Sequence, residues 1–177
     1  RAFAEEHNFT QRLVLGAHVR AGNGEKGDFE KKGRGIKNAN VFLKNFGKTL
    51  HLLSEKILAS YDEDMRQRKS MSPLIFLATD DATVHEKLSN ATAPYNISVV
   101  VFEQIRMDPG TGVGYYNKDW KDNSCRENFV SQFIDQSLLS ISDAVVAAKY
   151  SSFTQTIPIM TVLSDSMTNF DDRPNNG

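Results

Sequence analysis

The chain has 177 residues, 40% hydrophobic and 24% charged, with a formal net charge of −1 and a single cysteine. That length and composition suit one globular domain with a core of its own. The balanced charge excludes a global field that would gather nucleic acid or an acidic membrane surface, and a lone thiol, Cys125, excludes an intrachain disulfide and a cysteine zinc site.

Leu13 to Val19 (LVLGAHV) is an apolar run bounded by polar residues, which predicts a buried strand. Residues 20–38 carry five glycines and many charges, which predicts a loop. From about Asn40 to Tyr61 the residues Val41, Phe42, Phe46, Leu50, Leu53, Ile57 and Leu58 recur at three- and four-residue steps, the period of an amphipathic helix. Pro73 punctuates, and Leu74 to Ala78 (LIFLA) is a second strand. Asp81 or Thr83 can then cap a helix to about Leu88. Pro94 breaks that helix, and Ile97 to Phe102 (ISVVVF), rich in β-branched residues, is a third strand. A Gly- and Asp-bearing loop over 106–123 leads to a helix from Asn128 to Ile141, with Phe129, Phe133, Leu138 and Ile141 near one face. Ala144 to Ala148 (AVVAA) is a fourth strand, and Thr154 to Leu163 a last helix. Apolar runs such as LVLGAHV and ISVVVF fall far short of the ~20 residues of a membrane span.

Strands that are apolar throughout and separated by helices imply an α/β fold: a Rossmann-like parallel sheet with helices on both faces. Ligands of such sheets bind at the carboxyl ends of the strands. The residues that follow each strand carry the functional information: His18 and Arg20, then Thr79, Asp80 and Asp81, then Tyr150, Ser151 and Ser152. All three groups are expected on one edge.

Gly22, Gly24 and Gly27 spell G-x-G-x-x-G, the dinucleotide fingerprint of NAD- and FAD-dependent oxidoreductases. The fingerprint needs a helix directly after it to receive the pyrophosphate. Here Asp28-Phe-Glu-Lys-Lys-Gly33-Arg-Gly35 follows, and two glycines so close make a poor helix. Gly47-Lys48-Thr49 resembles part of a P-loop, but Phe42 stands where that loop needs its first glycine. Arg20 offers a planar fork of donors matched to phosphate oxygens, and the glycines after it let backbone N–H groups approach the same anion. An arginine paired with Asp80 or Asp81 is the structural alternative. Asp80 and Asp81 could hold a divalent cation, yet no further ligand is placed by the sequence, and a helix cap plus a salt bridge accounts for them without metal.

Three blocks taken in order, HVRAGNGE (His18 to Glu25), FLATDD (Phe76 to Asp81) and DAVVAAKYSSFTQ (Asp143 to Gln155), resemble the donor-binding half of inverting fucosyltransferases that use GDP-fucose. The first block is similar to that of the bacterial nodulation α-1,6-fucosyltransferases, which carry an arginine followed by x-GNGE. The animal N-glycan α-1,6-fucosyltransferase has an H-V-R strand tip, an ATDD block and an aspartate eight residues before a later S-x-A-D, the spacing of Asp135 before Asp143 here. Protein O-fucosyltransferases share the S-S-F-T ending, Ser151-Ser152-Phe153-Thr154 in this chain.

The resemblance implies the donor half of a GT-B glycosyltransferase. The chain, opening on Arg1 and closing in DDRPNNG, would then be one domain (1–177) of a longer two-domain enzyme whose N-terminal acceptor domain lies elsewhere. It further implies that no cofactor is needed, that GDP-fucose is the donor, and that a glycan or glycoprotein hydroxyl is the acceptor. Arg20 would bind the β-phosphate and stabilise departing GDP, with Gly22 and Asn23 in the same loop. His18 and Asp135 would lie toward the guanine, and Ser151, Ser152 and Thr154 would serve the diphosphate. Asp80, beside Asp81, would order the arginine loop, and Glu25 or Asp28 would be the base. Ala21 departs from the pattern, since these enzymes carry a second basic residue there. Lys26 is one substitute, and an inactive nucleotide-sugar-binding homologue is the alternative. The resemblance leaves the compartment open: Golgi or ER lumen for a eukaryotic enzyme, cytoplasm for a bacterial one.

Overall fold

The computed structural model describes residues 1–19, 39–103, 124–148 and 168–170. The elements in chain order are α1 (Ala2–Glu6), β1 (Arg12–Val19), α2 (Ala39–Ser60), α3 (Glu63–Arg68), β2 (Met71–Thr79), α4 (Thr83–Thr92), a 3-10 turn (Ala93–Tyr95), β3 (Ser98–Val100), α5 (Ser124–Ser140), β4 (Ala144–Ala148) and β5 (Thr168–Phe170). The five strands form one sheet in the order β3-β2-β1-β4-β5, with every neighbouring pair parallel. This is the expected Rossmann-like α/β architecture, and its strand order reverses between β1 and β4.

β1 lies at the centre, which is why its run is apolar throughout. Its side chains alternate between two covered faces. Leu13, Leu15, Ala17 and Val19 pack with Ile75, Leu77, Ala144 and Val146 under α2 and α4, which add Leu43, Phe46, Leu50, Val84 and Leu88. Val14, Leu74, Phe76, Ala78, Val145 and Ala147 face the other way, where Leu138 and Leu139 of α5 cover them. The α1 side of that face is aromatic: the ring of Phe3 meets those of Phe9, Phe76 and Phe102 edge-on at 6.1, 5.8 and 5.6 Å.

Two glycines are set by close approach. A Cβ on Gly16 would stand 2.8 Å from Leu139 Cδ2 and 3.1 Å from Ser142 Oγ, so α5 sits on β1 at a distance only glycine allows. A Cβ on Gly47 would meet Ala91 Cβ at 3.2 Å where α2 crosses α4. The glycine of the Gly47-Lys48-Thr49 tripeptide is thus a helix-packing residue, and the Thr49 hydroxyl donates to Asn45 O within α2.

At the amino edge of the sheet, Lys69 follows α3 and its Nζ reaches Phe9 O (3.1 Å), Arg12 O (2.8 Å) and Asp143 Oδ2 (2.9 Å). Three acceptors match the three N–H bonds of an ammonium group.

Several expectations are corrected. Pro73 lies inside β2 instead of ahead of it. Arg12 pairs with Met71 and Val14 with Leu74, so β2 carries an extra residue there, and a bulge is where a strand tolerates proline. α4 runs past Leu88 to Thr92, and β3 stops at Val100 short of Phe102. α5 begins at Ser124, and its inner side is Ile134, Asp135, Leu138 and Leu139, whereas Phe133 and Ile141 are exposed. α1, α3 and β5 were not expected. The expected loops over 20–38 and 106–123 and the expected helix Thr154–Leu163 lie outside the described residues.

Candidate functional site

Parallel strands point their carboxyl ends to one edge, and the register aligns those ends here. Val19 pairs with Thr79, and His18 pairs with Ala78 on one side and Ala147 on the other. The exits of β1, β2 and β4 therefore share an edge, with the reversal of strand order between β1 and β4. A crevice opens at such a reversal because the chain leaves neighbouring strands in opposite directions.

His18 is half-buried, between the buried Ala17 and Val19 of β1. Alternation puts it on the α5 face of the sheet, between two alanines that are 1% and 2% exposed. Small neighbours on both sides leave the imidazole as the only large side chain in that row of the three strands. Asp135 belongs to the same face. It sits one turn before Leu138 and Leu139 on α5 and is 6% exposed. Asp135 takes part in an interaction, and its Oδ1 atom, fully buried, accepts no hydrogen bond among the described residues. Sequence periodicity alone did not put Asp135 inward, since a carboxylate in a buried stripe runs against the apolar pattern.

The exit of β2 is a tight hydrogen-bonded turn. Thr79 is 6% exposed, and its Oγ1 accepts from the Asp81 N–H at 3.2 Å. Asp81 Oδ1 accepts from the Thr83 N–H at 2.8 Å, and Asp81 O accepts from the Val84 N–H at 3.2 Å. Of the two caps foreseen, Asp81 therefore serves the start of α4, and Thr83 is already its first residue. Asp80 is half-buried between them. Thr79 was noted in the sequence only as a residue at a strand end. The signal that would have given it a role is its hydroxyl spaced two residues from an amide, the pattern of a side-chain-to-backbone turn.

Of the sequence-derived site, His18, Asp80, Asp81 and Asp135 are described, and the structure brings the first three to one edge and Asp135 to the face of His18. Arg20, Gly22, Asn23, Glu25 and Asp28, with Ala21, Gly24, Lys26 and Gly27, lie outside the described residues, as do Tyr150, Ser151, Ser152 and Thr154. Arg20 is the next residue in the chain after Val19. Among the described residues no group of three or more His, Cys, Asp or Glu side chains is placed to hold a metal ion. No helix among them is long and apolar enough to cross a membrane.

Comparison with protein-family models and with curated proteins gives no match. Among solved structures, the chain is similar to the crystal structure of NodZ alpha-1,6-fucosyltransferase soaked with GDP-fucose, with a TM-score of 0.50 and 20% identity over 90% of this chain. The chain spans 39% of that protein's length. At this identity the likeness is one of fold, a Rossmann-like sheet of the kind found in a glycosyltransferase.

Proposed function

We propose that this chain is the nucleotide-sugar-binding part of an inverting fucosyltransferase, and that GDP-fucose lies across the carboxyl edge of the sheet at the β1–β4 reversal. The observation that carries the reading is the shared edge at which the register places the β1 end, with His18, and the Thr79–Asp81 turn, in a fold similar to that of a fucosyltransferase soaked with GDP-fucose. The described parts of the three sequence blocks, His18 with Val19, Phe76 to Asp81 and Asp143 to Ala148, run to the ends of β1, β2 and β4, which supports a ligand held at that edge.

The chemistry explains the residue types. The acceptor oxygen forms a bond to C1 of fucose as the bond from C1 to the β-phosphate oxygen breaks, and the acceptor proton passes to a carboxylate. Positive charge grows on the sugar and negative charge on the β-phosphate. Arg20 stabilises that negative charge where it develops, with no metal required, and Gly22 and Asn23 let the backbone come close. Glu25 or Asp28 takes the acceptor proton from the opposite face of the sugar. His18 and Asp135, on one face of the sheet, lie toward the guanine. Ser151, Ser152 and Thr154 donate to the diphosphate, and Asp80 orders the arginine loop. The acceptor, a glycan or glycoprotein hydroxyl, is recognised largely by an N-terminal domain beyond this chain.

Calorimetric titration with GDP and with NADH, in EDTA, tests the reading. GDP is expected to bind and NADH not to bind. Arg20→Ala is expected to weaken GDP by about 2 kcal/mol, the size of a charge-assisted contact. Binding of NADH in place of GDP would overturn the reading in favour of an oxidoreductase using Gly22, Gly24 and Gly27. Ala21 favours one second reading, a nucleotide-sugar-binding homologue without turnover. GDP binding with no fucosyl transfer by the full-length protein would establish it.

A further inference from the structure

Asn8-Phe-Thr10, Asn90-Ala-Thr92 and Asn96-Ile-Ser98 each spell Asn-x-Ser/Thr, the acceptor sequence of an asparagine-linked glycan. The fold gathers all three at one edge. Asn8 precedes β1, Asn90 is in the last turn of α4, and Asn96 precedes β3. Strand starts, and the ends of helices that return between parallel strands, lie at the amino edge of the sheet. The three asparagines are therefore opposite the carboxyl edge, where ligands of such sheets bind.

Their surroundings differ. Asn8 is half-buried, and its neighbour Phe9 is 6% exposed. Asn90 is exposed, but Thr92 is 0% exposed, with its Oγ1 at 3.1 Å from both Leu88 O and Ile97 O. The hydroxyl that this acceptor sequence must present is out of reach once α4 has closed. At Asn96-Ile-Ser98, the asparagine and the serine are both exposed. Asn96 has a φ of 54°, the left-handed conformation that asparagine tolerates, and turns the chain into β3. Its Nδ2 donates to Ser72 Oγ at 3.2 Å. An amide nitrogen carries two hydrogens. Replacing one by a sugar leaves the other for the bond to Ser72.

β3 is also an end strand of the sheet. End strands offer backbone groups to other chains, and a bulky hydrophilic group beside one hinders such pairing. His85 Nε2 donates to Val99 O at 3.1 Å and covers the middle of β3. Asn96 and Ser98 stand at its exposed start.

We propose that Asn96 is a glycan-acceptor site, the one of the three that the folded chain presents, and that its glycan shields the start of β3. The donor is a lipid-linked diphospho-oligosaccharide. A bond forms from Asn96 Nδ2 to C1 of the first sugar as the bond from C1 to the lipid diphosphate breaks. Nδ2 gives up one proton, and the lipid diphosphate departs. The modified edge leaves the carboxyl edge open.

The test is secretion of the whole chain from a eukaryotic cell behind a cleavable leader. The product is denatured and treated with peptide N-glycosidase in heavy-oxygen water, which turns each sugar-bearing asparagine into a labelled aspartate. Mass spectrometry of the peptides then reads each position. Label is expected to be highest at Asn96 and lower at Asn8 and Asn90. Ser98→Ala keeps Asn96 and its bond to Ser72, and it is expected to abolish the label at Asn96 while leaving Asn90 unchanged. More label at Asn8 or Asn90 than at Asn96, or a label at Asn96 that survives Ser98→Ala, would overturn the assignment. So would an unlabelled Asn96 in the protein isolated from its own cells. Light scattering tests the shielding: Ser98→Ala is expected to associate at lower concentration than the glycosylated chain, and an equal onset would overturn that role.

Discussion

Val14 and Asp143 form a reciprocal pair across 129 residues of sequence: the Val14 amide donates to Asp143 Oδ2 at 2.7 Å, and the Asp143 amide donates to Val14 O at 2.9 Å. The pair joins the starts of β1 and β4 one step before their ladder begins at Leu15 and Ala144. Lys69 binds the same Oδ2 atom, and the two side chains are 12% and 20% exposed. A carboxylate so placed serves as both a strand-pairing acceptor and the counter-charge of a largely buried ammonium.

Removing one partner strands the other. Lys69→Met is therefore expected to lower the unfolding free energy by about 2–4 kcal/mol, as for a broken buried pair. Asp143→Ala should cost at least as much, since the Val14 amide also loses its acceptor. The double variant should cost less than the sum of the two. Urea denaturation of the three variants measures this, and full additivity would contradict the coupling.

Gly16 marks the contact of α5 with β1. Gly16→Ala places a methyl 2.8 Å from Leu139 Cδ2 and is expected to destabilise by about 1–3 kcal/mol through overpacking. Leu139→Ala removes the clashing atoms. The two substitutions together should therefore cost less than the sum of their separate effects, measured by thermal and denaturant unfolding.

Tyr61 is half-buried beside the same ion pair. Burial first, and then the negative charge of Asp143, push its phenol from the ordinary 10 to about 12. The fold thus favours the protonated phenol. The stability this residue contributes is fully present below pH 10 and is lost as the pH rises from 10 through about 12, because the unfolded chain releases that proton first. Ultraviolet absorbance titration should show one tyrosine ionising late. Asp143→Asn should bring it part of the way back toward 10, with burial retaining the larger share.

Lys48 is exposed on α2 and Gly47 is buried against α4. If the tripeptide were a phosphate loop, Lys48→Ala would abolish nucleotide binding. The structure leads to the opposite expectation: GDP affinity and melting temperature unchanged for Lys48→Ala, and a loss of about 1–3 kcal/mol for Gly47→Val, which overpacks the helix crossing. Calorimetry and thermal melts of the two variants separate the alternatives.

What the sequence made legible was governed by distance along the chain. β1 and α2 were readable because burial on two faces and a 3.6-residue stripe are both local patterns. α3 had local signals as well, with Asp62 as its cap and Arg66 and Arg68 in its last turn, but its six residues bury nothing, and hydrophobic periodicity does not register such a helix. The three residues of β5, Thr-Asn-Phe, have no alternation to detect. The inner face of α5 was misjudged because Asp135 occupies a core position and Phe133 a surface one, a local conflict of the kind functional positions create. Lys69 and Asp143 lie 74 residues apart, and no local pattern links them. At the candidate site, strand ends could be read from apolar runs. The backbone bonds of Asp81 could not, since they depend on which amides the turn presents.

The strand order also has a temporal side. Pairing β1 with β2 closes about 60 residues, whereas pairing β1 with β4 closes 129. The entropy of loop closure grows with the span closed, and long-range pairing slows folding. A nascent chain that has emerged through β3 has three adjoining strands and a covered face, but no point at which the strand order reverses. The reversal is thus a property of the finished sheet. A small molecule held there would draw the equilibrium toward the last pairing by mass action, and its uptake during synthesis would serve as a clock for the completion of the fold.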